Sequence, residues 1–209
     1  ERGNACMDNV MKYLNSEVGL VKQYPALQPD YPTKQNPISW ATPGIGENGG
    51  VFCHANTWAI MAYCMLNRGD DAYKVYSELL PDNIIGKVGV NRYITEPYIY
   101  SSNVRALYAP RGGEAAVSWV TGTSTWMNIA VQEYMFGIKP KFDCLEIKPC
   151  LPSHIKHATV QRKFRNATYN IEVFNRGGKE IEKLVVNGVE QKGCLVKPSA
   201  DVMHVQVYV

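Results

Sequence analysis

The 209-residue sequence has no run of lysine and arginine, and its formal charge is only +3. A nucleic-acid partner or an anionic membrane surface is therefore not implied, because both are met by clustered cations. No apolar stretch approaches the roughly 18 residues that a bilayer span requires. Nothing at the N-terminus reads as a signal peptide. There is no Cys-x-x-Cys pair and no Cys/His cluster with zinc-ligand spacing, so no metal is expected. The Gly-Lys-Ser/Thr of a nucleotide-binding phosphate loop is missing. Spacing suggests no Ser-His-Asp or Cys-His arrangement, and no internal repeat or low-complexity tract occurs. The six cysteines, Cys6, Cys53, Cys64, Cys144, Cys150 and Cys194, are scattered, several in apolar settings such as Ala62-Tyr63-Cys64-Met65-Leu66. They read as reduced, mostly buried thiols of a cytoplasmic protein rather than as a disulfide framework. The chain opens on Glu1 and not on Met, as a processed or excised fragment would, and a lost targeting segment stays open.

What is present is apolar mass and aromatic surface. Hydrophobic residues make up 45% of the chain, enough for one large domain or two small ones with a real core. The 13 tyrosines and 4 tryptophans pair a flat apolar face with a polar tip, which suits a packed core and carbohydrate contact alike.

The periodicity changes part-way along. Met7, Val10, Met11 and Leu14 predict a helix over 6–16. Pro25, Pro29, Pro32, Pro37 and Pro43 then exclude a long helix. Four glycines fall within Gly44–Gly50, a loop whose backbone can approach a ligand closely. A second helix is predicted over 51–67, with Val51, Ala55, Trp58, Ala59, Ala62 and Leu66 on one face and Gly69 as its stop. Asp70 is placed to cap a helix over 71–80. Residues 81–113 read as loop and 118–136 as helix. After Pro140 apolar and polar residues alternate over 145–148, 158–164, 168–174, 181–186 and 202–209. Arg165-Asn166, Arg176-Gly177-Gly178, Asn187-Gly188 and Lys192-Gly193 separate these runs. The expected class is α+β in two segregated parts: helices over 1–137, then an antiparallel β-sandwich over 138–209.

Three clusters carry candidate chemistry. In Gly44 to His54 a flexible loop presents Glu47 and Asn48, and His54 falls in the first turn of the following helix. Helix N-termini attract anions, so His54 suits a phosphate and Glu47 a sugar hydroxyl. Spacing alone fits a loop or capping glutamate and a satisfied core histidine as well. In Ser118-Trp119-Val120-Thr121-Gly122-Thr123-Ser124-Thr125-Trp126, five hydroxyl residues and a glycine suit an oxyanion cradle, or equally an N-capping cluster. Tyr93, Tyr98 and Tyr100 with Glu96 form an aromatic loop bearing a carboxylate, which fits a sugar site or a packed loop. Asn166-Ala167-Thr168 is a glycosylation sequon without meaning in a cytosolic chain. His154, His157 and His204 read as surface or strand residues.

Taken in order, Val21 to Ala26, Glu47 to Asn56, Glu96-Pro97-Tyr98, Ser118 to Thr123, Phe136 to Pro140 and Leu145 to Pro152 resemble the C-terminal portion of a known family. These are the cellobiose and chitobiose phosphorylases, inverting enzymes of glycoside hydrolase family 94. The resemblance covers nearly the whole chain. It implies the last helices of an (α/α)6 barrel followed by a C-terminal β-sandwich. It also implies phosphorolysis of a β-linked disaccharide to an α-sugar 1-phosphate. Inorganic phosphate is the co-substrate, no cofactor is needed, and a homodimer is the usual assembly. By that resemblance His54, Thr121 and Gly122 match phosphate-binding positions, and Glu47 matches a position in the acceptor subsite.

Two departures bear on the acceptor. Gly46 stands where cellobiose phosphorylases usually carry Lys, and Ala41 where they usually carry Tyr. Both changes enlarge the subsite; Ala41 leans toward an N-acetyl sugar, and Trp40 and Ile45 are placed to refill the space. The family's general acid, an aspartate, and a phosphate-holding arginine lie upstream of the matched portion. None of Asp8, Asp30, Asp70, Asp71, Asp82, Asp143 or Asp201 sits in the matching motif. The resemblance thus assigns no catalytic residue to this chain and requires the upstream part as partner. The alternatives are a non-catalytic carbohydrate-binding module and the phosphorylase-like domain of a cyclic glucan synthase.

Overall fold

The structure, a computed structural model, describes residues 1–28 and 41–209. Pro29, Asp30, Pro32, Pro37 and Trp40 lie outside the described residues. Helices dominate the earlier part of the chain and sheets the later part, a mixed α+β order. The chain forms two compact units, Glu1–Ala62 with Tyr73–Asn128, and Tyr63–Ala72 with Ile129–Val209. Among the described residues no helix is long and apolar enough to cross a membrane.

The earlier elements begin with α1 (Arg2–Leu14), β1 (Val51–Phe52), α2 (Cys53–Met65), α3 (Gly69–Leu79), α4 (Pro81–Val88) and α5 (Val90–Tyr93). The hairpin strands β2 (Ser101–Val104) and β3 (Ala115–Ser118) and helix α6 (Thr123–Ile129) follow. Strands β1, β2 and β3 form one antiparallel sheet in that order. The helix predicted from Val51 starts at Cys53 instead, because β-branched Val51 pairs with Val104 as a strand. The face α2 buries is also not the predicted one. Cys53, Asn56, Thr57, Ile60, Met61, Tyr63 and Cys64 are buried, whereas Trp58 is half exposed. Apolar periodicity missed this face because two of its members are polar and satisfied internally. The Asn56 amide bonds Leu20 and Phe52, and the Thr57 hydroxyl donates to the His54 carbonyl at 2.6 Å.

The stretch predicted as loop from 81 to 113 holds α4, α5 and β2. Pro81 fits the first helical position, where its missing N–H costs nothing, and Ile84 is buried. The hairpin from β2 to β3 is clasped by buried Glu114, whose carboxylate meets Arg105 at 2.8 Å and Arg111 at 2.5 Å. The helix predicted over 118–136 is shorter. Ser118 ends β3, α6 covers Thr123–Ile129, and a π-helical turn follows over Ala130–Met135.

In the second unit β4 (Ile138–Pro140), β5 (Leu145–Ile147) and β10 (Leu195–Val196) make a three-stranded sheet in the order β10-β5-β4. A five-stranded sheet runs β6-β7-β11-β8-β9, from β6 (His157–Phe164), β7 (Ala167–Phe174), β8 (Lys183–Val186), β9 (Val189–Gln191) and β11 (Val202–Tyr208). Period-two burial places Tyr169, Ile171 and Val173 of β7 and Met203, Val205 and Val207 of β11 in one core with Leu145, Ile147, Leu184 and Val186. The Asn187-Gly188 turn has both residues at positive φ, 50° and 82°, as a tight hairpin requires. One expectation fails here: β7 and β11 pair in parallel, so the sheet is mixed and not antiparallel. Parallel neighbours need a crossover, and β8, β9 and β10 occupy the chain between these two strands. Of the cysteines, Cys53, Cys64 and Cys144 are buried, Cys150 and Cys194 are partly so and Cys6 is exposed, all as free thiols.

Candidate functional site

The glycine-rich loop is held from inside by Asn48, which is fully buried. Its amide donates to the Leu27 and Ala41 carbonyls, each at 2.8 Å, and its oxygen accepts the Leu27 N–H at 2.8 Å. The Gln23 amide adds a contact at 3.2 Å. Backbone bonds close the same turn: the Gly44 N–H donates to the Asn48 carbonyl at 2.7 Å and the Gly50 N–H to the Gly46 carbonyl at 3.1 Å. Asn48 is therefore a clasp and not a group presented to a ligand. That clasp turns the neighbouring Glu47 outward, with its side chain 61% exposed.

Glu47 pairs with Lys22, whose ammonium also lies 5.1 Å from the centroid of the Phe52 ring. The Lys22 backbone N–H donates to the Gly50 carbonyl at 2.9 Å, so the same residue is tied to the loop twice. Spacing did not single out Lys22, because 25 residues separate it from Glu47. The only available signal was its place in the Val21 to Ala26 motif. Gly46 has φ 53°, and a side chain there would meet nothing within 4 Å, so the space beside it is open. Ala41 contributes its carbonyl to Asn48. Lys22→Met is expected to change stability by less than about 1 kcal/mol, the usual worth of an exposed ion pair. It should nonetheless release the Glu47 carboxylate, which ¹³C NMR of that carboxyl would report as a shift toward an unpaired glutamate.

His54, the second residue of α2, stands among aromatic rings. Its centroid lies 5.0 Å from Trp58, 6.0 Å from Trp126 and 6.2 Å from Phe52. Its Nε2 is buried and has no hydrogen-bond partner among the described residues, an unusual state for a buried polar atom. Against the ring lies Gly122: a Cβ added there would sit 2.8 Å from His54 Cε1 and 3.0 Å from Nδ1. Beside it the Thr121 hydroxyl meets the Thr123 hydroxyl at 2.7 Å and accepts the Thr123 N–H at 3.1 Å. The Thr123 hydroxyl reaches the Ser101 carbonyl at 3.4 Å. The fold thus brings His54 and Gly122 into contact, with Thr121 adjacent. Glu47 joins them through Lys22 and Phe52. Val117 and Trp119, just before Thr121, both have left-handed backbones, φ 57° and 68°, a conformation costly for such residues.

The tyrosine cluster divides only in part, since Tyr93 stays near enough to Tyr100 and Glu96 for their charges to act on one another. Tyr93 is buried and Tyr98 is exposed. Glu96 accepts the Trp119 indole N–H at 2.7 Å. That bond, its own backbone N–H and Ser118 hold its carboxyl below the usual range. Glu96 therefore steadies the strained approach to Thr121. Cys53, next to His54, is no nucleophile: burial pushes its thiol up to about 12. Among the described residues no group of three or more His, Cys, Asp or Glu side chains is placed to hold a metal.

Residues 1–137 match the glycosyl hydrolase 94 superfamily, catalytic domain. The chain belongs to this family. It is 35% identical to an N,N'-diacetylchitobiose phosphorylase of Vibrio proteolyticus over the whole of this chain and 26% of that protein. It is 33% identical to a solabiose phosphorylase of Paenibacillus borealis over 92% of this chain and 25% of that protein. A cyclic beta-(1,2)-glucan synthase of Rhizobium meliloti is 32% identical over 88% of this chain and 6% of its own length. The chain spans about a quarter of the length of these phosphorylases. Three aspartates of this family-94 chain already have partners within it: Asp70 accepts the Ser153 N–H, Asp71 pairs with Arg68 and Asp143 with Lys197.

Proposed function

We propose that this chain is the C-terminal portion of an inverting disaccharide phosphorylase and supplies its phosphate cradle and part of its acceptor subsite. In this reading residues 1–137 are the last helices of an (α/α)6 barrel and 138–209 a β-sandwich domain. The observation that carries it is the buried Nε2 of His54, without a hydrogen-bond partner among the described residues, in a ring packed on Gly122. A phosphate oxygen there would satisfy the imidazole. The surrounding rings exclude water and so strengthen a charge-assisted bond. Thr121 and the N-terminal end of α2 add donors and a favourable dipole. Phosphate held in line attacks the anomeric carbon directly and needs no general base. One carboxylic acid, supplied from outside this chain, protonates the leaving oxygen. Glu47, oriented by Lys22, accepts from an acceptor hydroxyl. Small Ala41 and the open space at Gly46 favour an acceptor bulkier than plain glucose, such as an N-acetyl sugar.

In the complete enzyme, His54→Ala should raise the half-saturating phosphate concentration about 10- to 100-fold, as expected for losing one hydrogen bond to a charged group. Half-saturation by sugar should change far less. An unaltered phosphate dependence would overturn the assignment. The glucan synthase relative supports a second reading, a domain of a large synthase, for which turnover would not depend on phosphate at all.

A further inference from the structure

Cys64 and Cys150 are distant in sequence and meet within the second unit. Cys64 lies in the last turn of α2, 5% exposed, and its carbonyl accepts the Asn67 N–H at 3.0 Å. Cys150 sits in the irregular segment after β5, with its N–H donating to the Met135 carbonyl at 2.9 Å. Two contacts press that segment against the turn following α2. A Cβ on Gly69 would strike the Leu151 carbonyl, its carbon at 2.8 Å, and approach the Cys150 oxygen at 3.1 Å, so the backbones touch with no side chain between them. One residue on, the Asp70 carboxylate accepts the Ser153 N–H at 2.6 Å. Between these pins the two free thiols come near enough for each to act on the other's proton. Cys150 and then burial keep the proton on Cys64. Cys64 in turn draws Cys150 below the ordinary thiol range; Lys148 assists slightly, while burial and Asp70 oppose. A cleft of about 210 Å³ reaches Cys64, lined also by Met65, Tyr134, Lys139 and Lys148, while Cys150 is the more exposed of the two thiols and so the one open to an oxidant. Cationic neighbours favour the thiolate form.

We propose that Cys64 and Cys150 form a reversible dithiol–disulfide pair that reacts with hydroperoxides, Cys150 attacking first and Cys64 resolving. The Cys150 sulfur takes the distal peroxide oxygen as the O–O bond breaks, and the remainder departs as water or alcohol after gaining a proton. The Cys64 sulfur then attacks the sulfenic sulfur. The S–S bond forms, the S–O bond breaks, and hydroxide leaves with the Cys64 proton as water. Two thiols lose two electrons and one hydroperoxide is reduced.

The test treats the full chain with hydrogen peroxide, alkylates the remaining thiols and maps the peptides by mass spectrometry. The expected product joins the Cys64 and Cys150 peptides with a loss of about 2 Da, the two hydrogens removed on forming a disulfide, and is reversed by dithiothreitol. Cys64→Ser should stop at a Cys150 sulfenic acid that dimedone traps. Cys150→Ser should leave Cys64 reduced, and Cys6→Ser should leave the cross-link unchanged. Oxidation at Cys6 or Cys194 without this cross-link, or a cross-link formed only after denaturation, would overturn the proposal. Should a serine variant not fold, the wild-type mapping decides by itself.

Discussion

Replacing Asn48 with alanine is expected to destabilise the first unit by roughly 3–5 kcal/mol, well above the usual cost of a point substitution. The side chain is fully buried and closes three hydrogen bonds at 2.8 Å, two to one residue, Leu27, and one to Ala41. Alanine would leave the N–H and carbonyl of Leu27 and the carbonyl of Ala41 without these partners, and each desolvated orphan costs about 1–3 kcal/mol. Asn48→Asp should be no better. It keeps an acceptor for Leu27 but loses both donors and buries an unpaired charge. Chemical denaturation followed by the Trp58 and Trp126 fluorescence measures this. A loss below about 1 kcal/mol would show that the loop does not depend on its clasp. Because Glu47 follows from the same turn, the variant should also weaken the Lys22 contact.

Gly122→Val is expected to have the largest effect on phosphate use. A Cβ at 2.8 Å from His54 Cε1 has no room, and the imidazole is itself wedged among Phe52, Trp58 and Trp126. Either the ring or the 121–122 backbone must move. Overpacking of this kind costs about 1–3 kcal/mol of stability, and a displacement near 1 Å in a positioning group costs on the order of 100-fold in rate. In the complete enzyme the ratio kcat/KM for phosphate should fall by about 100-fold or more, at least as far as for His54→Ala. Gly122→Ala should produce a milder form of the same defect. A Gly122→Val enzyme with normal phosphate kinetics would show that the contact between His54 and residue 122 carries no function.

The second-unit strands were legible because burial alternates with the pleat. The Asn187-Gly188 hairpin was legible because only certain residues accept two successive positive φ values. Helix α2 was legible in position but not in orientation, since polar Asn56 and Thr57 lie on its buried side, Asn56 bonded to distant Leu20 as well as to Phe52 and Thr57 to His54. The segment 81–113 was misread for a related reason. Its elements are short, and β2 depends on pairing with β1 and β3. For the site, the ordered motifs around Glu47, His54 and Thr121 drew attention to two loops without saying how they meet.

By itself, then, the amino-acid sequence determined the helix-then-strand order, the tight turns and the motifs that mark the family. All of these are set by backbone preference and side-chain period over a few residues. Tertiary structure alone decided that Gly122 packs on His54, that Lys22 takes Glu47, that β7 runs parallel to β11 and that the turn after α2 meets the segment holding Cys150. Each of these joins residues separated by long stretches of chain. Whether they meet depends on which faces are buried together, and no local periodicity encodes that.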